Sequence, residues 1–168
     1  MLARVNVRRR AALAALLVVA GCAPFRETLR GPVEERTTLG PTAEELWLAS
    51  IGREPRFEER RQWEDDLGAR IDAYLRAHPE AANSLNVSGF RYLKQVSVGM
   101  EQEQVRILLG PPAQRLTQPK EMEVAARRFW PTIQPVATEA WVYPYGWTMF
   151  FAEQRLADIV HYQGTAKK

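Results

Sequence analysis

Cysteine and histidine, the residues of disulfides and of most zinc sites, are rare in this sequence. Its 168 residues include one cysteine, Cys22, and two histidines, His78 and His161. A single cysteine excludes an internal disulfide and a zinc site made of several thiolates. No His-x-x-x-His pair is present, and neither histidine has a sequence neighbour that suggests a catalytic triad. We therefore predict no metal site and no dissociable cofactor.

The sequence also lacks the short motifs that activate a nucleophile or hold a phosphate. None of its four serines lies in Gly-x-Ser-x-Gly or Ser-x-x-Lys, and no phosphate-binding glycine loop occurs. The acidic run 64–66 falls in a predicted helix, where consecutive side chains point about 100° apart and do not converge on one ion. We predict no catalytic residues. A hydrolase built on two carboxylates far apart in sequence is the alternative.

An excess of one charge sign is absent once the N-terminus is set aside. The formal net charge is +3, but four of the 23 basic residues precede Cys22 and all 20 acidic residues follow it. The side chains after Cys22 therefore sum to about −1. A nearly neutral chain with both signs interspersed has no electrostatic footprint for nucleic acid and no polybasic patch for anionic lipids. We predict no nucleic-acid partner.

The apolar run before Cys22 is too short for a permanent transmembrane helix, which needs roughly 20 residues. It follows three arginines at 8–10 and ends in small residues, a pattern typical of a secretory signal peptide. The last four residues, Val-Ala-Gly-Cys at 19–22, resemble the lipobox of bacterial lipoproteins. An ordinary signal peptide with an incidental cysteine is the alternative.

The lipobox resemblance implies that residues 1–21 are removed and that Cys22 is the lipid attachment residue. Two or more acyl chains anchor a protein stably, whereas one chain anchors only marginally. Ala23 follows the cysteine, where lipoproteins of the inner membrane commonly carry aspartate, so the resemblance implies the periplasmic face of the outer membrane. Residues 22–41 are polar, contain proline and glycine and show no period. They predict a flexible tether.

Helical signals begin at Thr42 and predict a helical extension over residues 42–84. Thr42 and Glu45 form a capping-box pattern, and Gly52 is placed to end this first helix. A second helix is predicted from Glu58 to Ala77. Its apolar stripe consists of Trp63, Leu67, Ile71, Tyr74 and Leu75.

Residues 85–163 predict an α+β domain in which two short helices pack on a three-stranded antiparallel sheet. The first helix would direct Phe90, Leu93 and Val96 inward, and the second runs from Glu101 to Leu109. Beyond Pro112 the apolar period approaches two, which favours strands. The predicted strands are 139–143, 147–152 and 156–162, with 113–117 as a candidate edge strand. Residues 164–168 form a polar tail.

Four short segments of this region resemble the SmpA/OmlA (BamE-like) family of outer-membrane lipoprotein domains. They are Val98-Gly99-Met100, Leu109-Gly110-Pro111-Pro112, Trp141-Val142-Tyr143 and Phe150-Phe151. The resemblance implies a binding protein that supports outer-membrane protein assembly or envelope integrity, with the β-barrel assembly machine as protein partner. A structural lipoprotein of another envelope complex, for secretion or motility, is the alternative. The sequence departs from the family at Glu101, where a serine or threonine is common, and in a longer insertion at 118–136.

Both faces of the predicted hairpin carry apolar bulk. Alternation puts Trp141 and Tyr143 on one face and Ala140 and Val142 on the other. If one face is open, its aromatic residues mark a site for a protein partner. The candidates are Trp130, Trp141, Tyr143, Tyr145 and Trp147. The alternative is that the extra helices or Phe129 and Trp130 cover the second face.

Overall fold

The computed structural model describes residues 33–164. Within that range the strands are β1 (Val33–Thr37), β2 (Leu39–Thr42), β3 (Gln95–Ser97), β4 (Gln114–Leu116), β5 (Glu139–Val142), β6 (Trp147–Ala152) and β7 (Arg155–Gln163). The α-helices are α1 (Ala43–Ile51), α2 (Phe57–Ala77), α3 (Gln102–Leu109), α4 (Pro119–Ala126) and α5 (Trp130–Ile133). None of these helices is long and apolar enough to cross a bilayer. The α+β class predicted from the sequence is confirmed.

The main sheet has five strands in the order β1-β7-β6-β5-β4, and β2 and β3 form a separate two-stranded sheet. The predicted count of three strands is therefore wrong. The consecutive strands β5, β6 and β7 pair antiparallel, as predicted. β4 adds to β5 on one side, and β1 adds to β7 on the other.

The prediction of a flexible tether over residues 22–41 is wrong for the residues that form strand β1 and most of strand β2. Residues 33–37 pair with the last strand, from Val33 opposite Gln163 to Thr37 opposite Ile159. Gly40 in β2 is buried, and a Cβ built on it would lie 3.2 Å from Met149 and from Val96. The polar composition of β1 and β2 gives no local signal for a strand, because the strands with which they pair are distant in sequence. Residues 22–32 lie outside the described range, as do the predicted signal peptide and residues 165–168.

The predicted helix ends are confirmed at α1. The amide of Glu45 donates to the Thr42 hydroxyl at 3.1 Å, and the Glu45 carboxylate accepts from the Thr42 amide at 2.7 Å. Gly52 closes the helix with a φ of 63°, a conformation that glycine adopts without steric cost. In α2, the buried residues Leu67, Ile71 and Tyr74 belong to the predicted stripe.

The prediction of a first short helix in the α+β domain is wrong in part. The chain forms a single π-helical turn over Gly89–Leu93 and then enters β3. Phe90 and Val96 are buried as predicted, but Leu93 is 64% exposed. Lys94 adopts a φ of 49° at the end of the turn, which redirects the chain before β3.

Two apolar cores lie on opposite faces of the sheet, and the predicted alternation of β5 is confirmed. Trp141, Tyr143, Met149 and Phe151 pack with α1, α2 and α3 in the first core. Ala140 and Phe150 pack in the second core with residues of α4 and α5. The predicted helical extension therefore shares a core with the sheet. The insertion at 118–136 forms the layer that covers the second face.

Candidate partner-binding surface

Three of the five aromatic residues predicted to bind a partner are buried. Trp130 is 8% exposed, Trp141 is 2% exposed and Tyr143 is 3% exposed. The prediction of an exposed patch is wrong for these three, because helices cover both faces of the sheet. Trp130 lies in the second core, while Trp141 packs against Phe151 with ring centroids 4.6 Å apart.

The hydroxyl of Tyr143 shows how these buried rings are held in place. It donates to the carbonyl of Gly110 at 3.0 Å, which ties the end of α3 to the hairpin. Burial raises the pKa of Tyr143 well above its usual value, because the phenolate is poorly solvated there. The residue is a neutral core tyrosine with a satisfied hydroxyl, and its contacts are those of a structural residue.

Tyr145 and Trp147 remain accessible at the turn between β5 and β6. Tyr145 is 57% exposed and has a φ of 60°. Trp147 is half-buried and stacks on His161, with centroids 3.7 Å apart and planes 1° from parallel. Nε2 of His161 lies 3.2 Å from the carbonyl oxygen of Tyr145. The predicted candidates thus reduce to two, and His161 joins them.

Close backbone packing fixes the conformation of this turn. A Cβ built on Gly146 would lie 1.8 Å from the carbonyl oxygen of Tyr162, and Gly146 has a φ of 81°. Only glycine fits a position that combines such a close approach with a positive φ. The turn therefore presents Tyr145 from a rigid support.

A second aromatic pair lies next to the turn and was not predicted as a binding element. Trp47 of α1 and Trp63 of α2 stack with centroids 4.5 Å apart and planes 9° from parallel. Both are half-buried. They border a cleft of about 330 Å³ that Tyr143 and Pro144 also line. The apolar stripes of the two helices contain these residues, but the stripes do not reveal that the two rings meet.

The two aromatic pairs are connected through Tyr145. Its hydroxyl donates to the carbonyl of Ala49 in α1 at 2.6 Å. We call the residues Trp47, Trp63, Tyr145, Trp147 and His161 the aromatic surface. Tryptophan and tyrosine are enriched among the residues that contribute most to protein–protein binding.

An ion pair and a lysine ammonium lie beside the aromatic surface. Arg53 and Glu59 form a two-bond ion pair at 2.8 and 2.9 Å, at the rim of a cleft lined by both tryptophans. Hydrogen bonds from Arg53 and then from the Arg56 amide lower the pKa of Glu59 to about 2. The Lys94 ammonium lies 6.0 Å from the centroid of the Trp63 ring. An apolar centre with a polar rim is the usual composition of a protein interface.

The other histidine, His78, belongs to a polar contact between α2 and α3. Its ring stacks on Tyr74 at 4.4 Å, and its Nδ1 lies 3.2 Å from the Glu80 carboxylate. The Tyr74 hydroxyl donates to Glu101 at 3.2 Å. Burial and then the charge of Glu101 raise the pKa of Tyr74. These contacts join the two helices, and within residues 33–164 no three His, Cys, Asp or Glu side chains are arranged to hold a metal ion.

Cys22, the predicted lipid attachment residue, lies outside the described residues and stays a prediction. Comparison with protein-family models, with curated proteins and with solved structures finds no match for this chain.

Proposed function

We propose that this chain is an envelope lipoprotein, acylated at Cys22, that binds a protein partner through the aromatic surface and performs no catalysis. The proposed location is the periplasmic face of the outer membrane. The proposed partner is a subunit of the β-barrel assembly machine, and the function is support of outer-membrane protein assembly or of envelope integrity. The lipobox at residues 19–22 supports the anchor, and the half-buried aromatic rings support the binding role.

The observation that carries the proposal is the position of the aromatic surface relative to the start of β1. Val33 is opposite Gln163 in β7, and His161, two residues earlier in β7, is opposite Trp147. The end of the sheet that carries Trp147 and Tyr145 is therefore the end at which the chain arrives from Cys22. A partner embedded in the same membrane would meet this end first.

The length of the segment before β1 limits how far the domain extends from the membrane. Ten residues, 23–32, separate Cys22 from Val33. At about 3.5 Å per residue, a fully extended segment of this length spans at most about 40 Å. The start of β1 would therefore lie within about 40 Å of the lipid headgroups.

Kinship with the SmpA/OmlA family is part of the proposal. The support is the antiparallel meander β5-β6-β7 together with α3, which pack on one another through the first core. In this reading β1, β4 and the helices α1, α2, α4 and α5 are additions to the three-stranded family domain. Family membership by itself does not determine function, so the partner is tested directly.

The anchor is tested by mass spectrometry of the protein purified from membranes. We expect a chain that begins at Cys22 and carries acyl chains on it. The matched control is Cys22→Ser, which we expect to lose the acyl mass and to leave the membrane fraction. An unmodified Cys22 still preceded by residues 1–21 would reject the anchor.

The partner is tested with a photo-crosslinking amino acid placed at Tyr145. We expect it to capture barrel-assembly subunits in cells. The matched control is the same amino acid at Tyr92, another exposed tyrosine, which lies in the π-helical turn and is 71% exposed. Capture of a secretion or motility complex from Tyr145, without barrel-assembly subunits, would support the alternative envelope complex instead.

A further inference from the structure

Of the five strands of the main sheet, β1 alone contributes no side chain to either apolar core. Each of the other four supplies at least one buried core residue: Leu116 from β4, Trp141 from β5, Phe150 from β6 and Ile159 from β7. Val33, the one aliphatic residue of β1, is 43% exposed. Burial of apolar surface therefore attaches the other four strands but not β1.

Main-chain hydrogen bonds and ion pairs attach β1 to the sheet instead. Its ladder with β7 covers five residues. Nε and Nη2 of Arg36 each lie 2.7 Å from the Asp158 carboxylate. Arg127 and Arg128 pair with the Glu34 carboxylate at 3.3 and 3.6 Å, and Arg128 donates to the Glu34 carbonyl at 2.6 Å. A segment with few buried apolar contacts is the part of a fold that opens most easily.

Water has access to the Arg36–Asp158 pair from a cleft beside it. The cleft has a volume of about 780 Å³, and Thr38, Phe129 and Thr132 also line it. The Arg36 side chain is 45% exposed, whereas the Asp158 side chain is 6% exposed. A carboxylate that stayed buried without its partner would be costly. Because the cleft adjoins Asp158, departure of β1 would let water solvate this carboxylate.

The chain is attached differently from Thr38 onward. The Thr38 carbonyl accepts from the Val98 amide at 3.0 Å, and the Gly40 carbonyl accepts from the Gln95 side chain at 3.0 Å. Gly40 and Pro41 are buried. These contacts fix β2 against β3, so a separation that begins at Val33 would end at Thr38.

We propose that β1 is a releasable strand, which leaves β7 while β2 and both cores stay folded. Release adds residues 33–37 to the segment that precedes the domain. At about 3.5 Å per residue, these five residues lengthen that segment by up to about 17 Å. The attached and released forms then place the domain at two different distances from the membrane. In this use of the added length, the inference rests on the proposed anchor at Cys22.

Release is tested by hydrogen–deuterium exchange mass spectrometry of the full chain purified in detergent. We expect the amides of β1 to exchange at least about tenfold faster than those of β6. Asp158→Asn should accelerate exchange in β1 at least about tenfold further, because it removes the charge that pairs with Arg36, and should leave β6 unchanged. Protection of β1 equal to that of β6 would overturn the proposal.

The matched control for Asp158→Asn is Glu44→Gln. Glu44 of α1 also pairs with an arginine, Arg60 of α2, but neither residue lies in the main sheet. We expect Glu44→Gln to leave exchange in β1 unchanged. Equal acceleration by the two variants would show a general loss of stability and would overturn the proposal.

A covalent lock gives a second measurement that leaves Asp158 in place. Val33 lies opposite Gln163, so Val33→Cys with Gln163→Cys, made in the Cys22→Ser chain, places the two remaining thiols across the ladder. Trypsin cleaves after arginine where the chain is open, and its rate follows the population of the open form. We expect a fragment that begins at Thr37 from the reduced chain and resistance at this bond in the oxidised chain. Equal rates, or resistance in both, would overturn the proposal.

The longer reach is tested separately, with the acylated chain on vesicles that contain a dye-labelled lipid. A second dye is attached through Val136→Cys, at a position that is 48% exposed. We expect Asp158→Asn to lower energy transfer between the dyes, and unchanged transfer would reject the longer reach. Release of β1 in a chain whose Cys22 proves unmodified would leave the releasable strand standing and reject the anchor. An acylated chain in which β1 never opens would reject this inference and leave the proposed function standing.

Discussion

The indole of Trp147 lies flat against the imidazole of His161, with ring centroids 3.7 Å apart. The two residues face each other across β6 and β7, so the contact joins the start of one strand to the end of the next. Both rings are half-buried and each keeps some accessible surface. The pair therefore supports the hairpin while contributing to the aromatic surface.

Replacing Trp147 and His161 with smaller residues should show how much their stacking contributes to the free energy of unfolding. We expect Trp147→Leu and His161→Ala each to lower the free energy of unfolding, with a coupling energy of about 0.5–1.5 kcal/mol, the range for aromatic pairs in such geometry. Urea unfolding of the two single variants and the double variant measures it. Strictly additive effects would show that the stacking contributes nothing beyond the area that each ring buries.

The helices α1 and α2 should unfold together with the sheet. Leu67 of α2 is 1% exposed and lies in the same core as Met149 and Phe151. We expect Leu67→Ala to lower the free energy of unfolding by about 2–5 kcal/mol, with a single transition seen by both tryptophan fluorescence and far-ultraviolet circular dichroism. Two separate transitions would show instead that residues 42–84 fold as an independent unit.

Two glycine substitutions should have opposite effects. Gly146→Ala would place a Cβ 1.8 Å from the Tyr162 carbonyl oxygen at a φ of 81°, so we expect a loss of more than about 1 kcal/mol. Gly68 lies within α2, where nothing is within 4 Å of an added Cβ. Gly68→Ala should raise stability by up to about 1 kcal/mol, because alanine favours helices. Thermal unfolding of both variants measures these changes in stability. An unchanged stability of Gly146→Ala would contradict the close packing of the turn.

The carboxylate of Glu139 should make stability depend on pH. Burial alone would favour its protonated form, but hydrogen bonds from Arg115, Trp141 and Gln102 prevail and hold its pKa below the usual value. A carboxyl group whose pKa is lowered in the folded state stabilises the fold above its unfolded pKa, about 4.3, and this contribution is lost as the pH falls through the folded value.

We therefore expect Glu139→Gln to cost about 1 kcal/mol at pH 7, and the difference from the unaltered chain to shrink progressively below about pH 4. Denaturant unfolding at a series of pH values measures this difference. A difference that stays constant down to pH 3 would mean that the lost stability comes from altered packing and not from the charge.

Local signals in the sequence were sufficient for several features of the fold. The capping box of Thr42 and Glu45 predicts the start of α1, because both hydrogen bonds form within four residues. Alternation in β5 predicts the opposite faces of Trp141 and Ala140, since consecutive side chains of a strand point in opposite directions. These features depend on residues close together in the chain.

Features that depend on distant pairing were not predictable in this way. Arg36 and Asp158 form an ion pair at 2.7 Å although 122 positions separate them, and the polar residues of β1 read as a tether without that partner. The exposure of Trp130 and Trp141 was likewise undecided, because composition does not say which helix covers which face. The stack of Trp47 on Trp63 depends on the angle at which α1 and α2 cross.

Strand β1 also determines how the domain would respond to mechanical load. It is the first element of the described residues, and the Arg36–Asp158 ion pair together with a five-residue ladder attaches it to β7. If Cys22 carries the proposed lipid, a pull on it would reach the described residues at Val33 and act on this ladder first. Separation of β1 from the sheet would uncover the edge of β7. Such a pull would therefore expose a new edge for strand pairing while both cores remain folded.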